Sequence, residues 1–458
     1  MPNSFVFDPN RCTGCGACRL ACSIENQLEP ERSWRRIDTF NRTRHPGVPL
    51  YHLSLACNHC AEPACMFACP ALAYTRDDEN GAVLLDDDKC TGCRYCAWAC
   101  PYDAPVFEPP RGVMTKCTFC HHRLREGLKP ACASLCPTGA LDFADIAETE
   151  LENSIPGFPA TDLGPRVRIE PLDESRRLPV MTAPDVAEPY MAAAEAPTTG
   201  VTLRSEWTLM LFTVLGAALV ATVAATLASA FSIRPIVFTD AAVVTMALGS
   251  FHLGKVSRAY RAILNVRGSW MSREVVAMSS FFVLAAVYLW LGPGNPALGA
   301  AAALVGFLGL LSADQVYGVL KASRPAYKHS AGVLWTGLFL TAVFAGSWFA
   351  ALFGFGKLAL YVQRKTEFSD TGRPVRPWTS LARVAFGFAI PVALWLADPA
   401  GTRALLVASV MLGELIDRAE YYAELESESP RRQMGIALEE LVRAYPTADR
   451  RLAASVGD

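Results

Sequence analysis

Hydrophobic positions are spread very unevenly along the 458 residues. From Trp207 onward the chain runs in long apolar blocks, and WTLMLFTVLGAALVATVAATLASAF (207–231) carries only scattered Thr and Ser, with no polar face. A soluble helix shows a polar stripe at helical spacing, whereas about 20 unbroken apolar residues cross a bilayer. Blocks of this kind predict spans at 207–231, 238–254, 275–291, 297–320, 331–355, 381–397 and 403–423. Seven spans are expected, several with Trp207, Trp290 or Tyr317 near an end, where interfacial anchors belong. Before residue 150 the pattern is polar and punctuated by proline after cysteine. Residues 151–200 hold eight prolines among acidic and alanine-rich stretches and read as a linker, with IPGFPATDLGPRVRIEPL as a stiffer part suited to a partner contact. The divisions are therefore 1–150, a linker and partner-contact segment 151–203, a membrane anchor 204–425 and a polar tail 426–458. The first residues lack a basic start followed by an apolar core, so no signal peptide is expected.

Charged residues are 19 % of the chain against about 25 % in soluble domains, as a membrane half requires. The 42 Lys+Arg and 44 Asp+Glu leave a net charge of −2, which points away from nucleic acid as a partner. Loops expected on the side of the N-terminal region carry Lys255, Arg258, Arg261, Arg267, Arg273, Lys321, Arg324 and Lys328, against Arg234 in the opposite loops, which favours that region lying on the cytoplasmic face. Six Lys or Arg between 357 and 383 run counter to this bias if the spans are seven.

All sixteen cysteines lie between Cys12 and Cys136 in four groups of four. Cys12, Cys15, Cys18 and Cys22 have the spacing C-x2-C-x2-C-x3-C, and Cys90, Cys93, Cys96 and Cys100 repeat it. Cys57, Cys60, Cys65 and Cys69 widen the middle gap to four residues, and eleven residues separate Cys120 from Cys132 in the group Cys117, Cys120, Cys132 and Cys136. Such a run winds three thiolates around one iron–sulfur cube and sends the fourth to another, so sixteen cysteines supply four cubes with none left over. A closed zinc site uses two pairs rather than triplets, and cysteines three apart on a tight loop seldom reach disulfide geometry.

With these residues in view, RCTGCGACRLACSIENQL, LACNHCAEPACMFACPALAY, KCTGCRYCAWACPYDAP and KCTFCHHRLREGLKPACASLCPTGAL resemble the four-cluster electron-transfer subunit of complex iron–sulfur molybdoenzymes. The resemblance implies an α+β ferredoxin-like domain with two pairs of 4Fe–4S clusters, the first group pairing with the fourth and the second with the third. Cys12, Cys15 and Cys18 then share a cluster with Cys136, and Cys117, Cys120 and Cys132 share one with Cys22. Cys57, Cys60 and Cys65 take Cys100, while Cys90, Cys93 and Cys96 take Cys69. Cys93 stands where some relatives have Trp and a three-iron cluster, so four 4Fe–4S clusters are implied. FHLGKVSRAYRAILNVRGSWMSREVV (251–276) and GELIDRAEYY (413–422) resemble the anchor subunit of dimethyl sulfoxide reductase and of related sulfite-oxidising complexes. That implies an all-α transmembrane bundle, of eight helices in the family, fused to the cluster domain.

The implied function is an electron-transfer and anchor subunit in the cytoplasmic membrane of a prokaryote, serving anaerobic respiration. Electrons would pass between menaquinone or ubiquinone and a separate catalytic subunit carrying the molybdenum cofactor. The same wiring run in reverse, as in a sulfite dehydrogenase, is an alternative, and so is a redox-driven ion-translocating complex. In the resembling anchors the glutamate and histidine matching Glu274 and His252 lie at the quinol pocket, and Arg273 stands beside Glu274. Read as residues alone, Arg273 and Glu274 equally cap a helix start. Glu414, Asp417 and Arg418 are expected to pair with one another inside the bundle, and Arg258 and Arg261 to be interface charges. Haem is not expected, since His252 and His329 are the only histidines beyond residue 200 and neither sits in mid-span.

Overall fold

A computed structural model describes residues 3–29, 32–147, 151, 153–176, 202–228, 232–320, 325–370, 374–398 and 401–444. The N-terminal half is a ferredoxin-like domain of short strands and short helices. Its largest sheet has β1 (Asn3–Phe7) at the centre, antiparallel to β8 (Leu141–Asp145) and parallel to β9 (Val167–Ile169). Alternate residues Phe5 and Phe7 face inward against Phe143, Phe119, Val167 and Ile169. Among the described residues three hairpins complete the strands: β2 (Arg36–Phe40) with β3 (Tyr51–Leu55), β4 (Tyr74–Arg76) with β5 (Val83–Leu85), and β6 (Val106–Glu108) with β7 (Val113–Thr115).

Strand register carries the cysteines to one another. The pair Phe7↔Leu141 brings the loop that starts at Cys12 beside Cys136, and Tyr74↔Leu85 brings Cys69 beside Cys90. The helices α1 (Ala17–Glu25) and α5 (Ala131–Ser134) pack together and carry Cys18, Cys22 and Cys132. Between them in the chain, α2 (Ala64–Ala68) carries Cys65, α3 (Tyr95–Trp98) carries Cys96, and α4 (His121–Arg125) starts directly after Cys120. The stretch 153–176, read from composition as the start of a linker, belongs to this domain. Proline richness there reflects extended backbone bonded to the domain, with Ala61 N–H on Gly164 O at 2.8 Å and Arg166 N–H on Asn58 O at 2.9 Å. The alanine-rich stretch that follows, 177–201, lies outside the described residues.

The second half is helical. Among the described residues four helices are long and apolar enough to cross a membrane: α6 (Leu203–Leu227), α8 (Trp270–Leu291), Pro296–Val319 beginning with α9 (Pro296–Val316), and Pro377–Ala397. A fifth candidate is α7 (Pro235–Phe251), which bends by 99° into the 3-10 helix Val256–Ile263. The segment Pro377–Ala397 is built of α12 (Pro377–Val384) and α13 (Ile390–Ala397) joined by a π turn at Ala385–Ala389. The single helix expected over 331–355 is instead two, α10 (Val333–Phe344) and α11 (Phe349–Asp370). Gly346 ends α10 at φ +64°, with its N–H on Val343 O and the Ser347 N–H on Ala342 O, the paired bonds by which a left-handed glycine stops a helix. Apolar residues on both sides of that turn hide it in the hydrophobic pattern.

The last long helix, α14 (Arg403–Glu424), leads into α15 (Pro430–Ala444), in the stretch whose composition reads as a polar tail. It returns to the iron–sulfur domain, where Arg431 Nε meets Asp38 Oδ1 at 2.7 Å and Met434, Leu438 and Leu441 join the core around Ile155 and Phe158. Because α15 packs on the domain that precedes α6, the number of crossings between them is expected to be even. Reporters fused at the N-terminus and after residue 444 should therefore register the same membrane face. Opposite faces would mean that α15 does not dock there.

Candidate functional site

The sixteen cysteines are all free of disulfides and fall into four spatial sets. Cys12, Cys15, Cys18 and Cys136 line one cavity with Ser54 and Thr138, and Cys57, Cys60, Cys65 and Cys100 line another with His59 and Tyr102. Cys22, Cys117, Cys120 and Cys132 act electrostatically on one another, as do Cys69, Cys90, Cys93 and Cys96. Local backbone geometry aims donors at sulfur: Ala73 N–H lies 3.4 Å from Cys69 Sγ, Gly92 and Met114 N–H 3.4 Å from Cys90 Sγ, and Leu141 N–H 3.4 Å from Cys136 Sγ. Asn26 Nδ2 reaches both Cys22 and Cys120 Sγ at 3.9 Å.

Without metal, these sulfurs are poorly placed to ionise. Burial pushes the Cys22 and Cys100 thiols up to about 11 and Cys93 up to about 12. Cys136 alone among the shifted cysteines is lowered, because the Leu141 N–H and Thr138 hydroxyl outweigh its burial. Four soft sulfurs per set, N–H groups directed at them and buried cations alongside suit an iron–sulfur cluster, whose charge keeps its ligands as thiolates. Those cations escaped the sequence reading. Arg35 is buried, donates to Ser54 O and Oγ at 3.2 Å and stacks on Phe5. Burial opposes its charge, yet Cys132, Cys18, Cys117 and Cys22 raise its pKa above the arginine range. Lys116 is also buried, on Val83 O and Cys117 O, and Arg166 lies beneath Gly81. Nothing in RSWRR separates Arg35 from its neighbours; only burial does.

The two ends of this array differ. Cys15 is exposed, whereas the set containing Cys69 and Cys90 lies against the anchor. There Trp98 stacks on Tyr317 with ring centroids 5.8 Å apart, Arg94 pairs with buried Glu206 at 3.4 Å, and Arg418 lies over the rings of Tyr317, Tyr421 and Tyr422. Glu274, in the first turns of α8, is half-buried and close enough to Tyr95 that, after burial, its charge helps to raise the Tyr95 hydroxyl above the usual tyrosine range. His252 follows α7 directly, with both ring nitrogens buried and no side-chain hydrogen-bond partner among the described residues. Arg273 turns away: it donates to the carbonyls of Val266 and Arg267 at 2.9 and 2.6 Å and stacks on Trp270. Its place is in holding the loop rather than in facing Glu274.

Deeper in the bundle, the expected pairing of Glu414, Asp417 and Arg418 with one another does not occur. Glu414 meets Lys357 at 2.8 Å and Arg383 at 3.0 Å, while Asp417 meets Arg383 at 3.2 Å and Arg364 at 3.3 Å. Arg364 continues to Glu420 and Glu424, and Lys365 joins them. Arg418 bonds instead to Thr213 Oγ1 and Ala331 O. The spacing of acids on α14 is visible in the sequence, but their partners stand far back in the chain on α11 and α12. Because Arg364 and Lys365 pair with Glu424, which leads into α15, the basic end of α11 lies at the same end of the bundle as the start of α15.

Paired cysteine sets in a ferredoxin-like domain, docked on a helical membrane bundle, define an electron-transfer subunit of a membrane complex. The sequence matches the 4Fe-4S binding domain over residues 5–24, the 4Fe-4S dicluster domain over 48–146 and the DMSO reductase anchor subunit (DmsC) over 201–368. It is 47 % identical over 152 residues to the B component of anaerobic dimethyl sulfoxide reductase from Escherichia coli, covering 31 % of this sequence and 74 % of the relative. The corresponding B component from Haemophilus influenzae is 41 % identical over 172 residues, 35 % of this sequence and 83 % of the relative. The B component of sulfite dehydrogenase from Allochromatium vinosum is 36 % identical over 173 residues, 33 % and 72 % respectively. The protein is a member of the dimethyl sulfoxide reductase iron–sulfur subunit family, and it joins that subunit to its membrane anchor in one polypeptide.

Removing one member of a buried ion pair leaves an uncompensated charge, at a cost of about 3–5 kcal/mol. Lys357→Met should therefore lower the thermal stability of the detergent-solubilised protein strongly, and Lys357→Met with Glu414→Leu should recover part of the loss. Thermal unfolding followed by circular dichroism measures both.

Proposed function

We propose that this protein carries electrons between a membrane quinone, menaquinone or ubiquinone, and a separate catalytic subunit with the molybdenum cofactor. The observation that carries the reading is that Glu274 lies close to Tyr95 and His252 close to Arg94, on the loop of the cysteine set that lies against the anchor, while Cys15 of another set is exposed. Four 4Fe–4S clusters, on the sets described above, supply one-electron carriers that side chains lack. The protein's part is to fix their spacing, keep water away and direct N–H groups and buried cations at the sulfurs.

At the bilayer end, oxidation of a quinol releases two protons with two electrons. The Glu274 carboxylate, half-buried at the start of α8, is placed to take a proton and return it toward water. The buried ring of His252, which no side chain among the described residues engages, offers the complementary hydrogen bond to a quinone oxygen. Arg273 supports the pocket by bracing the loop before α8. Substrate chemistry belongs to the partner, which docks near Cys15. The loop charges support a multi-pass protein of the cytoplasmic membrane in a prokaryote, with the cluster domain on the cytoplasmic face. Eight helices fit the even parity set by α15. Dimethyl sulfoxide reductase-type anaerobic respiration is the favoured direction. The likeness to a component of sulfite dehydrogenase supports the same route run toward quinone.

Elemental analysis of the purified protein should approach sixteen irons, one for each cysteine, and its reduced spectrum should lack sharp haem bands. Glu274→Gln keeps the shape and removes the titratable proton. Quinone-linked turnover should fall by about 10²–10⁴-fold, the range a positioned acid–base group supplies, while electron transfer from an artificial donor persists. Normal quinone-linked rates and inhibitor binding in that variant would make Glu274 a helix-start residue only.

A further inference from the structure

The segment between α7 and α8 makes contacts that neither spans nor quinone binding require. After the 99° bend, residues 254–269 lie across the two loops that carry Cys69 and Cys90. The approach is backbone on backbone: a side chain on Gly254 would collide with the carbonyl of Gly112, and one on Gly92 with both Gly112 and Gly254. From this position a row of donors takes carbonyls of the iron–sulfur domain. Lys255 N–H bonds Thr91 O at 3.0 Å, and Arg258 Nη1 bonds Asp87 O at 2.6 Å and Cys90 O at 3.1 Å. Arg261 reaches Ala71 O at 3.3 Å, Asn265 Nδ2 reaches Phe67 O at 3.2 Å and Cys69 O at 2.9 Å, and Ser269 Oγ reaches Ala68 O at 2.8 Å. The anchor thus holds the main-chain carbonyls of two cysteines from one set, and it brings a guanidinium to one of them. The only carboxylate on Arg258 among the described contacts is Asp88, an exposed residue at 3.4 Å.

We propose that Arg258 and Asn265 are positioning residues through which the anchor sets the reduction potential of the cluster on Cys69, Cys90, Cys93 and Cys96. This rests on the electron-transfer reading above. Reduction adds one negative charge to the cluster, and a nearby cation stabilises the reduced form, so Arg258 raises the potential. Donors on the Cys69 and Cys90 carbonyls draw electron density from the ligand loops in the same direction and hold both loops in register. The centre that first exchanges electrons with quinone is therefore tuned by the membrane half, and fusing the two halves in one polypeptide keeps that tuning in place.

Redox titration followed by electron paramagnetic resonance, on membranes carrying the complete complex, reads the centres separately. In Arg258→Gln one midpoint potential should fall while three stay, with iron content and binding of a quinone-analogue inhibitor unchanged. Asn265→Asp, which sets a carboxylate against the Cys69 carbonyl, should lower the same midpoint. Arg258→Lys, which keeps the charge, should return it toward the native value. Unmoved midpoints in Arg258→Gln and Asn265→Asp overturn the proposal, as does a general loss of iron that Arg258→Lys fails to restore. The native titration separates the two levels of inference. Fewer than four centres there undo the electron-transfer reading together with this proposal, whereas four centres that do not respond undo only the assignment to Arg258 and Asn265.

Discussion

Charge removed from water has to be compensated where it sits, and both halves of this protein are arranged around that requirement. In the iron–sulfur half, buried sulfurs surround Arg35, while Lys116 and Arg166 lie among the same loops, so cations are buried where thiolates gather. In the anchor, Lys357, Arg364 and Arg383 are each 0 % exposed and meet Glu414, Asp417 and Glu420 on one face of α14. Ions of this kind are tolerated in a membrane protein only when they face the bundle interior and find partners. The pairing ties α11, α12 and α14 together more specifically than apolar contact alone, since helices in lipid gain little from hydrophobic attraction to one another.

The same principle operates at the junction of the halves, though there the charges are polar groups of the main chain. Carbonyls of the Cys69 and Cys90 loops would be left unpaired at this junction without donors, and the segment before α8 supplies them. Glycines at 92, 112 and 254 permit the close approach, and Trp98 stacked on Tyr317 fills the space beside it. On the other side of the domain α15 returns to pack on Ile155 and Phe158. The iron–sulfur domain is therefore gripped from both ends of the membrane half, which suits a device whose function depends on fixed distances.

Much of this is legible from residue order. Cysteine spacing is a local property, because three sulfurs around one loop answer to a few backbone dihedrals, and membrane spans are local runs of apolar side chains. Where local signals run out, the pattern misleads. The break at Gly346 lies within continuous apolar sequence, so 331–355 looks like one helix. The prolines of 153–176 look like a linker because extended strands and linkers share a composition. Glu414 and Asp417 are recognisable as buried acids, but nothing in their neighbourhood identifies Lys357, Arg364 and Arg383 as partners.

By itself the sequence determined the chemistry and the material: sixteen thiols in ligand spacing, a bilayer-compatible half, and a glutamate and a histidine at the ends of neighbouring spans. Tertiary structure decided which of these meet. Strand register at β1–β8 and β4–β5 brings Cys12 to Cys136 and Cys69 to Cys90, the bend after α7 lays Arg258 and Asn265 on the latter set, and helix packing joins acids and bases far apart in the sequence. These are contacts over long sequence separations, and their energies depend on burial, which no single segment possesses until the others have folded against it.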